Sequence, residues 1–391
     1  MDRGRAVVIA IGALVALAII GFFTVLPTWY DRHVNQLVPN PPPPATGAAA
    51  ALHQRLDVVD LHADPLLWKR NLLKPHSFGH IDLPRLEQGR VALQVFSSVT
   101  KTPRGLNYDR NRADSDNITT LAIAQLQPTR TWDSLLQRSL FHAEKLHRFA
   151  EKSDGRLRVI RTVQDLDALL ADRAAGKTVT GGLLSIEGLH NLEGKFANLA
   201  RLREAGYRMA SPTHFFDNEV SGSVAGLEKG GLTSLGRQVI RDMQRSGMVV
   251  DLAHASHATI AEVLQMATRP VIFSHGGVKA TCDNNRNLTD DEIRGIAATG
   301  GVIGIGFWDA AICDTSVEGV VRAMLHVRDV AGVDHVALGS DWDGAVTTVF
   351  DAAHVSALTE GLMRAGLSEE DIAKIMGGNA FRVLRATLPQ E

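Results

Sequence analysis

The sequence predicts an α/β fold, a (β/α)8 TIM barrel preceded by an N-terminal transmembrane helix. Three observations carry this prediction. Eight short apolar runs recur between residues 56 and 339. Most are separated by stretches with helical spacing of apolar residues, the pattern of parallel strands joined by helices. An acid or histidine follows the first, third, fourth, fifth, sixth and eighth runs. In a parallel barrel the strand C-termini share one face, and active sites collect there.

The elements follow in order. Met1-Asp-Arg-Gly-Arg5 is a charged head, and Ala6–Leu26 then runs without a charge. At about 1.5 Å per residue this run can cross about 30 Å of hydrocarbon. A secretory apolar region is shorter, about 7–15 residues, and ends at a small-x-small site. Here the run ends Phe22-Phe-Thr-Val-Leu-Pro27-Thr-Trp29-Tyr30, with aromatic residues suited to a membrane interface. Residues 1–35 are therefore expected to be an uncleaved single-pass anchor, with a cleaved signal as the alternative. Arg3 and Arg5 favour a cytoplasmic N-terminus and an extracytoplasmic remainder, periplasmic in a bacterium. Residues 36–55 contain Pro41–Pro44 and an alanine run, which reads as a Pro/Ala-rich linker. Residues 56–391 form the barrel domain.

The predicted strands are Leu56–Leu61, Val91–Phe96, Gly181–Ile186, Tyr207–Pro212, Met248–Leu252, Pro270–Phe273, Gly301–Phe307 and His335–Gly339. Residues 119–172 read as mostly helical, interrupted at Pro128 and at Ser153-Asp-Gly-Arg156. Asn107–Asn117 is a polar, exposed loop that can reach the mouth of a site. A formal charge of -2 argues against a nucleic-acid partner, for which a basic face is expected. Cys282 and Cys313 are too few for a disulfide framework; they can pair with each other or stay as buried thiols. No Gly-x-Ser-x-Gly elbow is present, which weakens a serine-hydrolase reading.

His62 and Asp64 leave the first strand, Glu187 the third, His254 the fifth and His275 the sixth. Each alone has a bland reading, a hydrogen-bonded pair at a loop mouth. Together they are a candidate metal shell, because neutral imidazole and carboxylate are common zinc ligands. Five ligands exceed what one ion needs alongside water, so two Zn2+ sharing Glu187 are expected. Such a pair holds a hydroxide and polarises a carbonyl. Arg286 stands in a polar loop and is suited to grip a carboxylate. His214 follows the fourth strand and Asp341 the eighth.

The chain resembles the membrane dipeptidase (renal dipeptidase) family, peptidase family M19. The matching segments include Asp60-Leu-His62-Ala-Asp64, Gly79-His-Ile-Asp-Leu-Pro-Arg85, Ser185-Ile-Glu187-Gly188 and Thr213-His214. Asp251-Leu-Ala-His254, Ile272-Phe-Ser-His275, Asn285-Arg286-Asn287, Gly339-Ser-Asp341-Trp-Asp343-Gly344 and Gly377-Gly-Asn-Ala-Phe-Arg382 complete them. The resemblance implies a binuclear zinc dipeptidase acting through a metal-bridging hydroxide, with tolerance of a C-terminal D-residue. It implies that His62 and Asp64 bind one zinc, His254 and His275 the other, and that Glu187 bridges. It further implies catalytic and substrate-binding roles for His214 and Asp341, and a carboxylate-binding role for Arg286. The expected partners are a dipeptide and a membrane; a homodimer stays open. The alternative function is an amidohydrolase that tailors a secreted peptide or peptidoglycan fragment with the same site.

Overall fold

In the computed structural model, which describes residues 3–391, eight parallel strands form a nearly closed barrel. They are β1 (Val58–Ala63), β2 (Val91–Val99), β3 (Thr180–Glu187), β4 (Tyr207–Ser211), β5 (Val249–Val250), β6 (Ile272–Phe273), β7 (Val302–Ile305) and β8 (Val336–Leu338). The order around the sheet is β5-β4-β3-β2-β1-β8-β7-β6, so every strand lies beside its neighbour in sequence and β8 lies beside β1. A parallel bridge from Asp251 to Ile272, with Leu252 N donating to Ile272 O at 2.7 Å, draws the two ends together. One buried cluster takes a residue from every strand: Val59, Leu93, Leu183, Met209, Val249, Ile272, Val302 and Ala337. Phe381 and Leu384 of the C-terminal helix join it. This core fixes the strand register that sets the C-terminal edge.

All eight predicted strands are present, though β5 and β6 keep only two residues each of the runs assigned to them. The segment between 119 and 172 also holds a short strand, Leu157–Val159, which pairs with the start of β3. The sequence reading placed only helix and breaks there. Leu157 is buried by this pairing, and a three-residue strand is too short to show its period.

The N-terminal region differs from expectation more. Helix α1 (Arg3–Thr24) is long, apolar and exposed, and is a candidate membrane span. Helix α2 (Leu26–Val34) follows it and packs on the barrel. The 36–55 segment is not a free spacer. Gln36–Leu37 pairs in parallel with Thr347–Thr348, and helix α3 (Gly47–His53) buries Ala49, Leu52 and His53. His53 Nδ1 lies 2.8 Å from Thr359 Oγ1 and its Nε2 3.1 Å from Gly89 O, so both ring nitrogens hold α3 to the domain.

Candidate metal centre and active site

The strand ends bring the candidate residues together one by one. β1 presents His62 and continues to Asp64. β3 ends at Glu187, and Gly188 follows with φ 91°. A Cβ at Gly188 would lie 2.6 Å from the His190 ring and 3.0 Å from His214 Cβ, so only glycine lets the chain turn here. His214 follows β4, His254 follows β5 and His275 follows β6. His254 and Asp341 both hold left-handed backbone, at φ 63° and 60°. Such conformations are uncommon for non-glycine residues and concentrate at functional sites.

Glu187 Oε1 is the geometric centre. The Nε2 atoms of His254, His275, His62 and His214 lie 2.9, 3.2, 3.5 and 3.5 Å from it. His254 Nε2 and His275 Nε2 are 3.1 Å apart. His62 Nε2 also lies 3.3 Å from Asp64 Oδ2 and 3.8 Å from Asp341 Oδ1. Three overlapping groups could each hold a metal ion: His62, Glu187 and His275; Glu187, His214 and His254; His62, Asp64 and Asp341. All four imidazole Nε2 atoms face one carboxylate oxygen, and His62 stands in addition against Asp64 and Asp341. All these residues are buried.

The donor set fits metal ions. Donors bound to one ion at about 2.0–2.2 Å stand roughly 3 Å apart, the spacing seen around Glu187 Oε1. Asp64 Oδ1 is buried with no hydrogen-bond donor among the described residues, which is costly for a carboxylate without a cation. Burial lowers His214, His254 and His275 well below the ordinary histidine value, leaving each neutral and able to donate a lone pair. Burial works against a charged His62 too, but Asp64 and Glu187 together outweigh it and raise that ring. The same negative field attracts a metal cation. Burial, with Asp64 and Glu187 beside it, holds the Asp341 carboxyl well above the usual range.

Supporting hydrogen bonds aim these groups. Ser274 Oγ donates to Asp251 Oδ2 at 2.6 Å and lies 2.8 Å from His275 Nδ1. With the hydroxyl proton given to Asp251, His275 Nδ1 is the donor to Ser274, and its Nε2 lone pair faces Glu187. Asp60 does the equivalent for the β8 end. It accepts from Ser340 N at 2.7 Å, Ser340 Oγ at 2.8 Å and Gln94 Nε2 at 2.6 Å. Burial still pushes its carboxyl up to about 6. Ser340 directly precedes Asp341, so this clamp sets where Asp341 stands.

A cavity of about 470 Å³ opens onto this cluster and takes in Glu187, His214, His254, Arg286 and Asp341. Arg286 is buried; Nη2 donates to His275 O at 2.7 Å, while Nε and Nη1 have no hydrogen-bond partner among the described residues. Arg286 is part of the cavity lining, and a guanidinium with two unpartnered donors suits an anionic group. Cys282 and Cys313, left open by the sequence, form a disulfide that ties the Arg286 loop to the segment after β7. His190, near the site, bonds Thr100 Oγ1 at 2.8 Å. Sequence reasoning missed Tyr108, Phe215 and Trp308, which also line the cavity. Trp308 Nε1 donates to Tyr108 Oη at 3.2 Å, joining the 100–117 loop to the barrel mouth. The only signal was an aromatic residue inside an otherwise polar loop.

Comparison with known proteins gives consistent results. Dipeptidase tcpJ of Claviceps purpurea is 32% identical over 317 residues, covering 78% of this chain and 69% of that protein. Dipeptidase aclJ of Aspergillus oryzae is 29% identical over 360 residues, covering 84% and 78%. Among solved structures, a Rhodobacter sphaeroides metallopeptidase, liganded with a phosphinate mimic of the dipeptide L-Ala-D-Ala, superposes with TM-score 0.69 at 24% identity. It covers 85% of this chain and 99% of that one. The probable dipeptidase PvdM of Pseudomonas aeruginosa reaches 0.73 at 19% identity, covering 87% and 97%. At these identities the structural likeness speaks for the fold. The model of the family described as membrane dipeptidase (peptidase family M19) matches residues 47–389. With that match over most of its length, the chain belongs to the membrane dipeptidase family, peptidase family M19, whose members are metallo-dipeptidases.

Proposed function

We propose that the protein is a membrane-anchored zinc dipeptidase in which Glu187 is shared by two ions. The observation that carries this is the convergence of four imidazole Nε2 atoms on Glu187 Oε1, with Asp64 and Asp341 against His62. His62 and Asp64 would hold one ion, His254 and His275 the other. When bound, the ions would polarise the carbonyl and lower the pKa of water so that it can attack near neutral pH.

The remaining roles belong to the chain. Arg286 Nε and Nη1 bind the carboxylate of the C-terminal residue. Asp341 engages the free amino end. His214, neutral and beside Glu187, assists at the scissile carbonyl oxygen. Water adds its oxygen to the carbonyl carbon, and its proton passes through the Asp341 carboxyl to the departing amine nitrogen. Acceptance of a D-residue at the C-terminal position is part of this reading, carried by membership of the family.

Helix α1 supports a single-pass anchor with a cytoplasmic N-terminus. The Cys282–Cys313 disulfide supports an oxidising, extracytoplasmic location for the barrel. The experiment is chelation followed by zinc restoration. Hydrolysis of simple dipeptides should disappear and return. Full activity after complete metal removal would rule the reading out.

A further inference from the structure

The cavity has two unlike sides. Around the metal-ligand cluster it is polar, with Arg286 and Asp341. Away from the cluster its wall includes Leu67, Trp68, Leu121 and Val346, with Leu26 and Tyr30 of α2. Thus the helix that continues the membrane anchor also lines the catalytic cavity. Tyr30 is 38% exposed and its ring centroid lies 6.0 Å from that of Trp68, which puts it at the rim.

This placement is built into the fold. Asp31 on the inner face of α2 is 2% exposed and accepts from Arg70 Nε at 2.8 Å. Arg70 Nη2 reaches Asp343 Oδ2 at 2.6 Å, two residues beyond Asp341. Just after α2, Asn35 Oδ1 accepts from Ala345 N at 2.9 Å, and Gln36–Leu37 pairs with Thr347–Thr348. Trp68 Nε1 donates to Asp343 O at 2.7 Å. Helix α2, the Trp68 wall and the Asp341 loop are therefore one braced unit. Gly344, Ala345 and Val346, which continue that loop, line the same cavity as Leu26 and Tyr30.

We propose that α2 is a specificity-determining part of the active site: Leu26 and Tyr30 complete an apolar subsite that selects dipeptides with a bulky aliphatic or aromatic N-terminal side chain. The assignment to the N-terminal residue rests on the proposed dipeptidase reading, in which Asp341 engages the amino end. A substrate amine held at Asp341 places the adjoining side chain beside the wall that α2 shares with the Asp341 loop. Burial of a large apolar side chain there is favourable, whereas a glycine leaves the subsite unfilled.

The test uses full-length, zinc-loaded protein in detergent micelles, with Phe-Ala and Gly-Ala as substrates. The readout is the ratio of their kcat/KM values. The wild type should favour Phe-Ala by about tenfold or more, within the range one apolar subsite supplies. The double variant Leu26→Ala/Tyr30→Ala should lose most of that ratio, chiefly through the KM for Phe-Ala. Tyr30→Phe, which keeps the ring, should retain the ratio. Leu26→Trp, which fills the subsite, should reverse the preference. Because each ratio is internal to one preparation, a partly unfolded variant still reports it. A ratio left unchanged by both the double variant and Leu26→Trp would overturn the proposal. Failure of the zinc-loaded wild type to cleave either dipeptide would instead overturn the dipeptidase reading.

Discussion

Asp251 Oδ2 accepts a 2.6 Å hydrogen bond from Ser274 Oγ, and through that hydroxyl it orients the His275 ring. Asp251 Oδ1 also accepts from Ser274 N at 2.9 Å and Ala253 N at 3.0 Å, so one carboxylate braces the turns leading to both His254 and His275. Asp251→Asn keeps the size but puts an amide among these donors. It should weaken metal binding by about 10–100-fold. Competition with a zinc chelator measures this, and an unchanged affinity would remove Asp251 from the positioning of the site.

Arg286 measures substrate length in this account. Its Nε and Nη1 are buried without partners among the described residues, and Arg286 and Asp341 line the same cavity. Arg286→Ala should retain its metal, because arginine is not a ligand. It should lose about 10²-fold in kcat/KM on free dipeptides, roughly 2.7 kcal/mol, within reach of losing a charged hydrogen-bond partner. C-terminally amidated dipeptides should be poor wild-type substrates and should suffer much less from the change. Equal slowing of free and amidated dipeptides would show a structural loop residue instead.

Asp31 joins helix α2 to the Asp341 loop through Arg70. Asp31→Ala should destabilise the full-length protein by about 1–3 kcal/mol, since a buried guanidinium nitrogen loses its acceptor. Asp31→Asn, which keeps a carbonyl acceptor, should recover part of this loss. Denaturant unfolding in micelles would show it, and an Ala variant as stable as the wild type would mean that α2 is not held by this contact.

His142 supplies a pH dependence remote from the metal cluster. Burial, with Lys145 and Arg138 nearby, lowers its pKa from 6.5 to about 3. Its Nδ1 lies 2.9 Å from Ser98 Oγ. Between those two pH values the unfolded chain binds the extra proton, so folding stability must fall as pH falls. The contribution is whole above about pH 6.5 and declines by at most about 1.4 kcal/mol per pH unit below it. His142→Gln should flatten the decline in unfolding free energy between about pH 6 and 4. A slope identical to the wild type would contradict this.

The barrel and its metal-capable edge were legible because both rest on local pattern. Runs such as Gly181–Ile186 announce a buried strand, and Glu187 directly after one cannot be left unpaired. What escaped is non-local. Asp31 reads as one charge following the apolar run, and its contact with Arg70 shows that α2 belongs to the domain. Pro41–Pro44 suggested a spacer, yet chain on either side of it pairs with Thr347–Thr348 or packs through Leu52. Tyr108 reaches Trp308 from a polar loop across 200 residues, which no periodicity encodes. The Cys282–Cys313 bond likewise depends on where the barrel brings two loops.

The most direct measurement is a zinc titration of chelator-stripped, full-length protein, following bound metal and dipeptide hydrolysis in the same samples. Sharing of Glu187 predicts activity that plateaus at about two zinc ions per chain, with Glu187→Gln unable to reach that occupancy. Full activity without metal, or a plateau at one ion with Glu187→Gln unimpaired, would contradict the account.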